Sequence, residues 1–284
     1  MATSIITLRI FLLLSVYGAN YSCTKNESPK TAIVKDNSNT ALGNPSKASS
    51  SNPDNYLIDR KQYCLSYNNT NHIPNWASWH LDSTDIGEAS RSNKFFKDTT
   101  LHEGWYEVTN TDYKNSGFDK GHLCPSADRT STEENNDATF FLSNIIPQAP
   151  KNNEIVWESL EEYCRSLVKS GNELYIICGV YGKGGIGSKG YAETLKNDIL
   201  VPAKTWKIII VLPYGTNDLK RINTNTRVIS VIIPNTQDCA EHFWDYYRVN
   251  VDSIESLTGF DFLSNVSISI QQTIEQKIDT VTIK

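Results

Sequence analysis

Apolar positions along the chain fall into three rhythms. Tyr63-Cys64-Leu65-Ser66-Tyr67 and Trp76-Ala77-Ser78-Trp79-His80-Leu81 alternate with period two. This predicts a pair of antiparallel strands, with turns at Asn68-Asn69 and Pro74-Asn75. Residues 173–179, 206–212 and 227–234 are continuous apolar runs, the pattern of strands buried on both faces, and the last is stopped by its proline. Trp157, Leu160, Cys164 and Leu167 recur at helical spacing, which predicts an amphipathic helix from Asn153 to Ser170, ended by Gly171. Shorter helices are predicted over residues 239–249 and 254–258, and no internal repeat is visible. Strands dominate with helices inserted between them. The reading is an α+β fold in one domain, residues 56–265, followed by a C-terminal tail, residues 266–284.

Residues 1–22 read as a signal peptide: Arg9 supplies a positive charge, and Ile10 to Val16 form an apolar run too short to span a bilayer. Two endings stay open. Val16-Tyr17-Gly18 suits ordinary signal cleavage, whereas Ser22-Cys23 suits cleavage before Cys23 with lipid attached to that thiol, as in a bacterial lipoprotein. Residues 23–55 are rich in Ser, Asn, Thr and Lys and are expected to form a flexible linker. Export is therefore expected, with the protein secreted, periplasmic or lipid-anchored at the cell surface.

Composition excludes a disordered, collagen-like or coiled-coil chain: of 284 residues, 39% are hydrophobic and 21% charged. The formal charge of −5 gives no general attraction to nucleic acid or anionic lipid. The six cysteines (Cys23, Cys64, Cys124, Cys164, Cys178 and Cys239) show no CxxC or Cys/His spacing, which argues against structural zinc. If Cys23 carries lipid, five remain and one must be free or paired between chains; otherwise three bridges can form.

The chemistry concentrates in residues 117–165. Gly117-Phe118-Asp119-Lys120-Gly121-His122-Leu123-Cys124-Pro125 puts a histidine between a glycine and a proline-terminated loop, outside any regular helix. Asp119 lies near enough to orient its ring. Further on, Asn153, Trp157, Glu161 and Arg165 follow at steps of four and share one helix face. Taken singly, an Asn at a helix start is a cap and Glu161/Arg165 a surface pair of little worth. Together they offer a neutral oxygen ligand, an acid, an imidazole base and a guanidinium, the inventory for metal-assisted phosphodiester hydrolysis.

Asp119-Lys120-Gly121-His122, followed by an Asn-containing segment that leads into Trp157-x-x-x-Glu161, resembles the DNA/RNA non-specific endonucleases of the ββα-metal (His-Me finger) fold, the endonuclease G group among them. The resemblance extends over most of residues 63–262, through Pro74-Asn75-Trp76-Ala77-Ser78-Trp79, Arg91-Ser92-Asn93-Lys94-Phe95 and residues 254–262. It implies a mostly antiparallel sheet flanked by helices, and a sequence-non-specific endonuclease that cuts DNA and RNA to leave 5′-phosphate ends. The implied cofactor is a divalent metal, Mg²⁺ with Mn²⁺ able to substitute.

By the same resemblance, His122 matches the general base and Asn153 the one side chain that ligates the metal directly. Glu161 matches a residue that holds the metal's waters, and Arg91 and Arg165 match phosphate contacts. Lys120 stands where the family more often has Arg, which keeps the charge but loses the bidentate fork. Cys124 departs from the commoner Ala and is expected to be a packed small residue, with a bridge to another cysteine left open. The rival reading is a non-catalytic surface nucleic-acid-binding protein of the same fold.

Overall fold

A computed structural model describes Met1 and residues 37–283; the rest of the signal peptide, Cys23 and the first part of the expected linker lie outside the described residues. In chain order the elements begin with β1 (Tyr56–Asp59), β2 (Cys64–Asn68), β3 (Ile73–Leu81), α1 (Asn110–Tyr113) and β4 (Asp119–His122). Next come α2 (Glu133–Ala138), β5 (Ile145–Gln148), α3 (Glu158–Lys169), β6 (Asn172–Tyr181), β7 (Gly185–Gly187) and β8 (Gly190–Ala192). The chain closes with β9 (Lys204–Pro213), α4 (Asp218–Arg221), β10 (Arg227–Pro234), β11 (Arg248–Val249), α5 (Val251–Thr258) and α6 (Ile268–Ile274).

Seven strands make one sheet in the order β1-β2-β3-β6-β9-β10-β11. Every neighbouring pair is antiparallel. The apolar runs form its centre because both faces are covered. Leu174, Ile176 and Cys178 of β6, Ile209 of β9 and Ile229 of β10 face one core with Trp157, Leu160 and Cys164. Their alternate neighbours Tyr175, Ile177, Ile208 and Ile210 face a second core with Trp206, Val251, Ile254, Phe262 and Ile274. The chain is thus α+β with a large antiparallel sheet flanked by helices, as expected.

Three local expectations differ. Residues 38–55, expected as linker, pack on the second core, where Ala41, Leu42 and Ala48 are buried. Their polar side chains do structural work: the Trp76 indole donates to Ser46 Oγ at 2.7 Å, and Asn44 bonds both the N–H and C=O of Ala48. Pro74 and Asn75 lie inside β3, and the reversal occurs before them, with His72 at φ 57°. Pairing of β3 with β6 starts only at Trp76, so at Pro74 the strand has β2 alone as neighbour, beside a register shift at Ser66/Tyr67, where a proline is tolerated. In place of a helix over 239–249, the chain makes single turns at Asp238–Glu241 and Trp244–Tyr247 and then adds β11 to the β10 edge. The aromatic residues there have modest helix propensity, and burial of Trp244 with pairing to β10 overrides it. The C-terminal tail, to which the sequence assigned no structure, packs back on the domain, where Asp279 accepts from Arg227 Nε and Nη2, each at 2.9 Å.

The five described cysteines, Cys64, Cys124, Cys164, Cys178 and Cys239, are all free and buried, so Cys124 is a packed residue.

Leu42→Ala tests whether residues 38–55 belong to the domain. The urea midpoint should fall by the equivalent of about 2–4 kcal/mol, as for a truncated core leucine. An unchanged midpoint would return the segment to the status of linker.

Candidate active site

A two-stranded hairpin and the helix that follows it build the site. β4 pairs antiparallel with β5 in the register Asp119↔Gln148 and His122↔Ile145. Side chains alternate along β4, so Asp119 and Gly121 face one way and Lys120 and His122 the other. Gly121 is required by packing: a Cβ there would lie 2.7 Å from Gln148 Cβ and collide with the end of that side chain. The buried Gln148 amide donates to Asn152 Oδ1 at 2.7 Å, and Asn152 donates to the Pro234 carbonyl at 2.9 Å. The start of the helix is thereby fixed to both the hairpin and the main sheet.

That start is a π-turn, Asn152–Trp157, in which the Glu158 N–H reaches back to the Asn153 carbonyl. Asn153 is therefore not an N-cap. Its amide nitrogen donates instead to Asp119 Oδ2 at 3.0 Å, joining helix to hairpin. The bond turns the amide so that Oδ1 stays available, and π-turns of this kind often occur at functional sites.

His122 is buried, 8% exposed, and its Nε2 is sealed without a hydrogen-bond partner. Phe140 meets the ring edge-on at 4.8 Å and Phe95 lies 5.5 Å away. These same rings carry the cations: Lys120 Nζ sits 4.0 Å over Phe95, and the Arg91 guanidinium 5.1 Å from the centre of Phe140. Lys120 also donates to Asn110 Oδ1 at 2.8 Å. Burial, with Arg91 and Lys120 adding to it, pushes the His122 imidazole down to about 3, so it is neutral at physiological pH. The loop beyond it is pinned by buried Asn144, which accepts from the Cys124 N–H at 3.0 Å and donates to the Cys124 carbonyl at 2.9 Å.

Glu161 and Arg165 form a second group. Burial pushes the Glu161 carboxyl up to about 7, opposed chiefly by Lys207, whose Nζ lies 3.6 Å from Glu161 Oε1. Lys207 is itself buried, over the Trp157 ring at 4.0 Å. Arg165 pairs with buried Asp128 at 3.1 Å, and Asp128 also accepts from the Trp79 indole at 3.0 Å. The structure therefore gathers His122, Lys120 and Arg91 in one group and Glu161 and Arg165 in another. Among the described residues no hydrogen bond or ion pair joins the two groups directly; Asn153 on Asp119 links hairpin and helix.

Lys207 and Asp128 were missed by sequence reasoning. The signal for Lys207 was present: a lysine inside the apolar run Trp206-Lys207-Ile208-Ile209, on the same strand face as Ile209, has to be buried and paired. Asp128 carried no such signal.

The oxygen donors here suit a hard divalent cation: the neutral Asn153 amide, with carboxylates at Asp119 and Glu161. Two other clusters, His80/Asp82/Glu173 and Asp252/Glu255/Glu275, gather carboxylate oxygens, the first with an imidazole nitrogen, elsewhere in the fold.

Comparisons with known proteins agree in direction. The family model for DNA/RNA non-specific endonucleases matches residues 42–269. A protein named Nuclease, from Nostoc sp., is 49% identical over 240 residues, covering 84% of this chain and 85% of its own. Human mitochondrial endonuclease G is 28% identical over 216 residues, covering 74% of this chain and 70% of its own. The crystal structure of an EndoG/EndoGI complex aligns with a TM-score of 0.68 at 23% identity, over 84% of this chain and 96% of that one.

The depressed His122 value has a stability consequence with a definite sign. The unfolded histidine takes up a proton as pH falls through about 6.5. The folded one resists until about 3, so acidification across that window favours unfolding. His122→Ala should therefore lose less stability than wild type between these values, and the His122 imidazole proton resonances of metal-free wild type, assigned by their loss in His122→Ala, should stay flat from neutrality to pH 5. Titration of those resonances near 6.5 would contradict the burial.

Proposed function

The chain belongs to the DNA/RNA non-specific endonuclease family and is a nuclease, and on that footing we propose that it hydrolyses phosphodiester bonds of both DNA and RNA with a divalent metal, leaving 5′-phosphate ends. The observation that carries this reading is a neutral, buried His122 on the strand whose Asp119 fixes Asn153, with Arg91 and Lys120 beside it.

In this reading His122 is the general base. Its Nε2 is sealed, so Nδ1 is the nitrogen that takes a proton from the attacking water. Asn153 Oδ1 would hold the cation directly, Mg²⁺ with Mn²⁺ as substitute, and the cation would supply positive charge to the scissile phosphate. Glu161 would support it as a carboxylate, which requires its proton to be lost; Lys207 favours that form. Arg91, Lys120 and Arg165 hold phosphate oxygens, Arg165 while steadied by Asp128. Contacts to phosphate carry no base information, which accounts for non-specific cutting.

Purified protein should cut plasmid DNA and RNA in Mg²⁺ and stop on addition of EDTA. Intact substrates with metal bound would end the enzyme reading. His122→Ala should slow cutting by about 10²–10⁴-fold with an unchanged circular dichroism spectrum. Asn153→Ala should shift the Mg²⁺ titration to higher concentration. Lys207→Met should move the acid limb of the pH–rate profile upward, because Glu161 loses the charge that lowers its proton affinity.

The export reading rests on residues 1–23 alone. The mass of the mature N-terminus separates a diacylglycerol on Cys23 from a free end near Ala19.

A further inference from the structure

On the opposite sheet face from His122, α5 and α6 pack on the second core through Val251, Ile254 and Ile274. Where they meet, Asp252 and Glu255 of α5 and Glu275, the residue that ends α6, each present a carboxylate oxygen within 4.8 Å of the other two. Glu275 is only 7% exposed, and its Oε1 is fully buried with no hydrogen-bond partner. Glu255 uses Oε1 to accept from the Phe262 N–H at 2.8 Å, and Asp261 adds a fourth negative charge nearby. Among the described residues no basic side chain pairs with any of the three. Lys277, close in sequence, is committed to the Thr224 carbonyl.

Three carboxylates this close, one of them sealed from water, are stable together only if a proton or a cation lies between them. Burial and the neighbouring acids do raise the Glu275 carboxyl, to about 8. A proton satisfies one oxygen, whereas a cation satisfies all three residues at once. Oxygen is the donor of hard divalent ions, and Ca²⁺ with ligands at about 2.3–2.6 Å spans opposite oxygens about 4.6–5.2 Å apart. Mg²⁺, which demands near-ideal octahedral geometry and gives up its waters reluctantly, is less suited to a set made mainly of carboxylates.

We propose that Asp252, Glu255 and Glu275 form a structural Ca²⁺ site, separate from the catalytic centre, that clamps the C-terminal helix α6 onto α5. The ion acts on stability and takes no part in bond cleavage. The site ties residues 266–284 to the domain beside the ion pair that Asp279 makes with Arg227.

The test uses the full chain freed of metal with EDTA, in two backgrounds: wild type and Asn153→Ala, which removes the proposed ligand of the catalytic cation. Ca²⁺ titrated into Asn153→Ala at neutral pH should bind with one-to-one stoichiometry by calorimetry and raise Tm by several degrees. Asp252→Asn on that background, at a half-buried position that should fold, is expected to weaken Ca²⁺ binding at least tenfold and to remove the rise in Tm. Glu275→Gln should do the same and should melt higher than its parent in EDTA. If Asn153→Ala neither binds Ca²⁺ nor gains Tm at millimolar concentration, the site is a proton-sharing cluster and the proposal fails. An equal Ca²⁺ response in both carboxylate variants also overturns it. Neither result depends on nuclease activity, so the catalytic reading stands or falls separately.

Discussion

A sheet buried on both faces gives no place to an unpaired charge, and that constraint organises the candidate site. Lys207 sits on β9, inside the first core, where an ammonium without a partner would be strongly disfavoured. It is held by Glu161 and the Trp157 ring, which places α3 against the sheet at one angle. Asp128, also buried, holds Arg165 and the Trp79 indole and so ties α3 to β3. The helix carrying the acidic and basic members of the site is therefore fixed by charges that must be paired, and not by apolar packing alone. Such pairs contribute little net stability, but removing one partner is costly, which makes the geometry hard to lose.

Burial sets the proton chemistry on both sides of the centre, with opposite results for a base and an acid. His122 is driven to its neutral form, the form that can accept a proton. Glu161 is driven toward its neutral form, the wrong one for holding a cation's waters, and Lys207 works against that drift. Burial thus keeps His122 unprotonated at neutral pH while lowering its proton affinity. Glu161 depends on a nearby cation for its ionised form, and a bound metal would act in the same direction.

Much of this was legible in the sequence. Continuous apolar runs identified the central strands because both faces are buried, and the DKGH tetrapeptide with the Asn153–Trp157–Glu161 spacing marked two segments that the fold brings together through Asp119 and Asn153. Composition misled where polar side chains form packing contacts. Residues 38–55 look like linker, yet Asn44, Ser46 and Asn55 each make specific bonds, and Leu42 and two alanines are enough to anchor them. Local signals also lost to tertiary pairing: Pro74-Asn75 reads as a turn until β2 is laid beside it, and residues 239–249 read as a helix until β10 offers an edge. The π-turn at Asn152 follows from contacts to Gln148 and Pro234, which no spacing within the helix records.

The net charge of −5, which argued against a polyanionic partner, is explained by where the charges lie. Removing residues 1–22 takes away Arg9 and makes the chain still more negative. Arg91 and Lys120 flank His122 on the hairpin side, whereas Asp252, Glu255, Asp261 and Glu275 gather with the second core on the opposite sheet face. At physiological ionic strength charges separated by more than about 8 Å are largely screened. A phosphate at the hairpin therefore responds to the local cations and is little repelled by the acidic far side. Attraction confined to a few phosphate contacts would give weak, salt-sensitive binding, which suits release of a cut polymer.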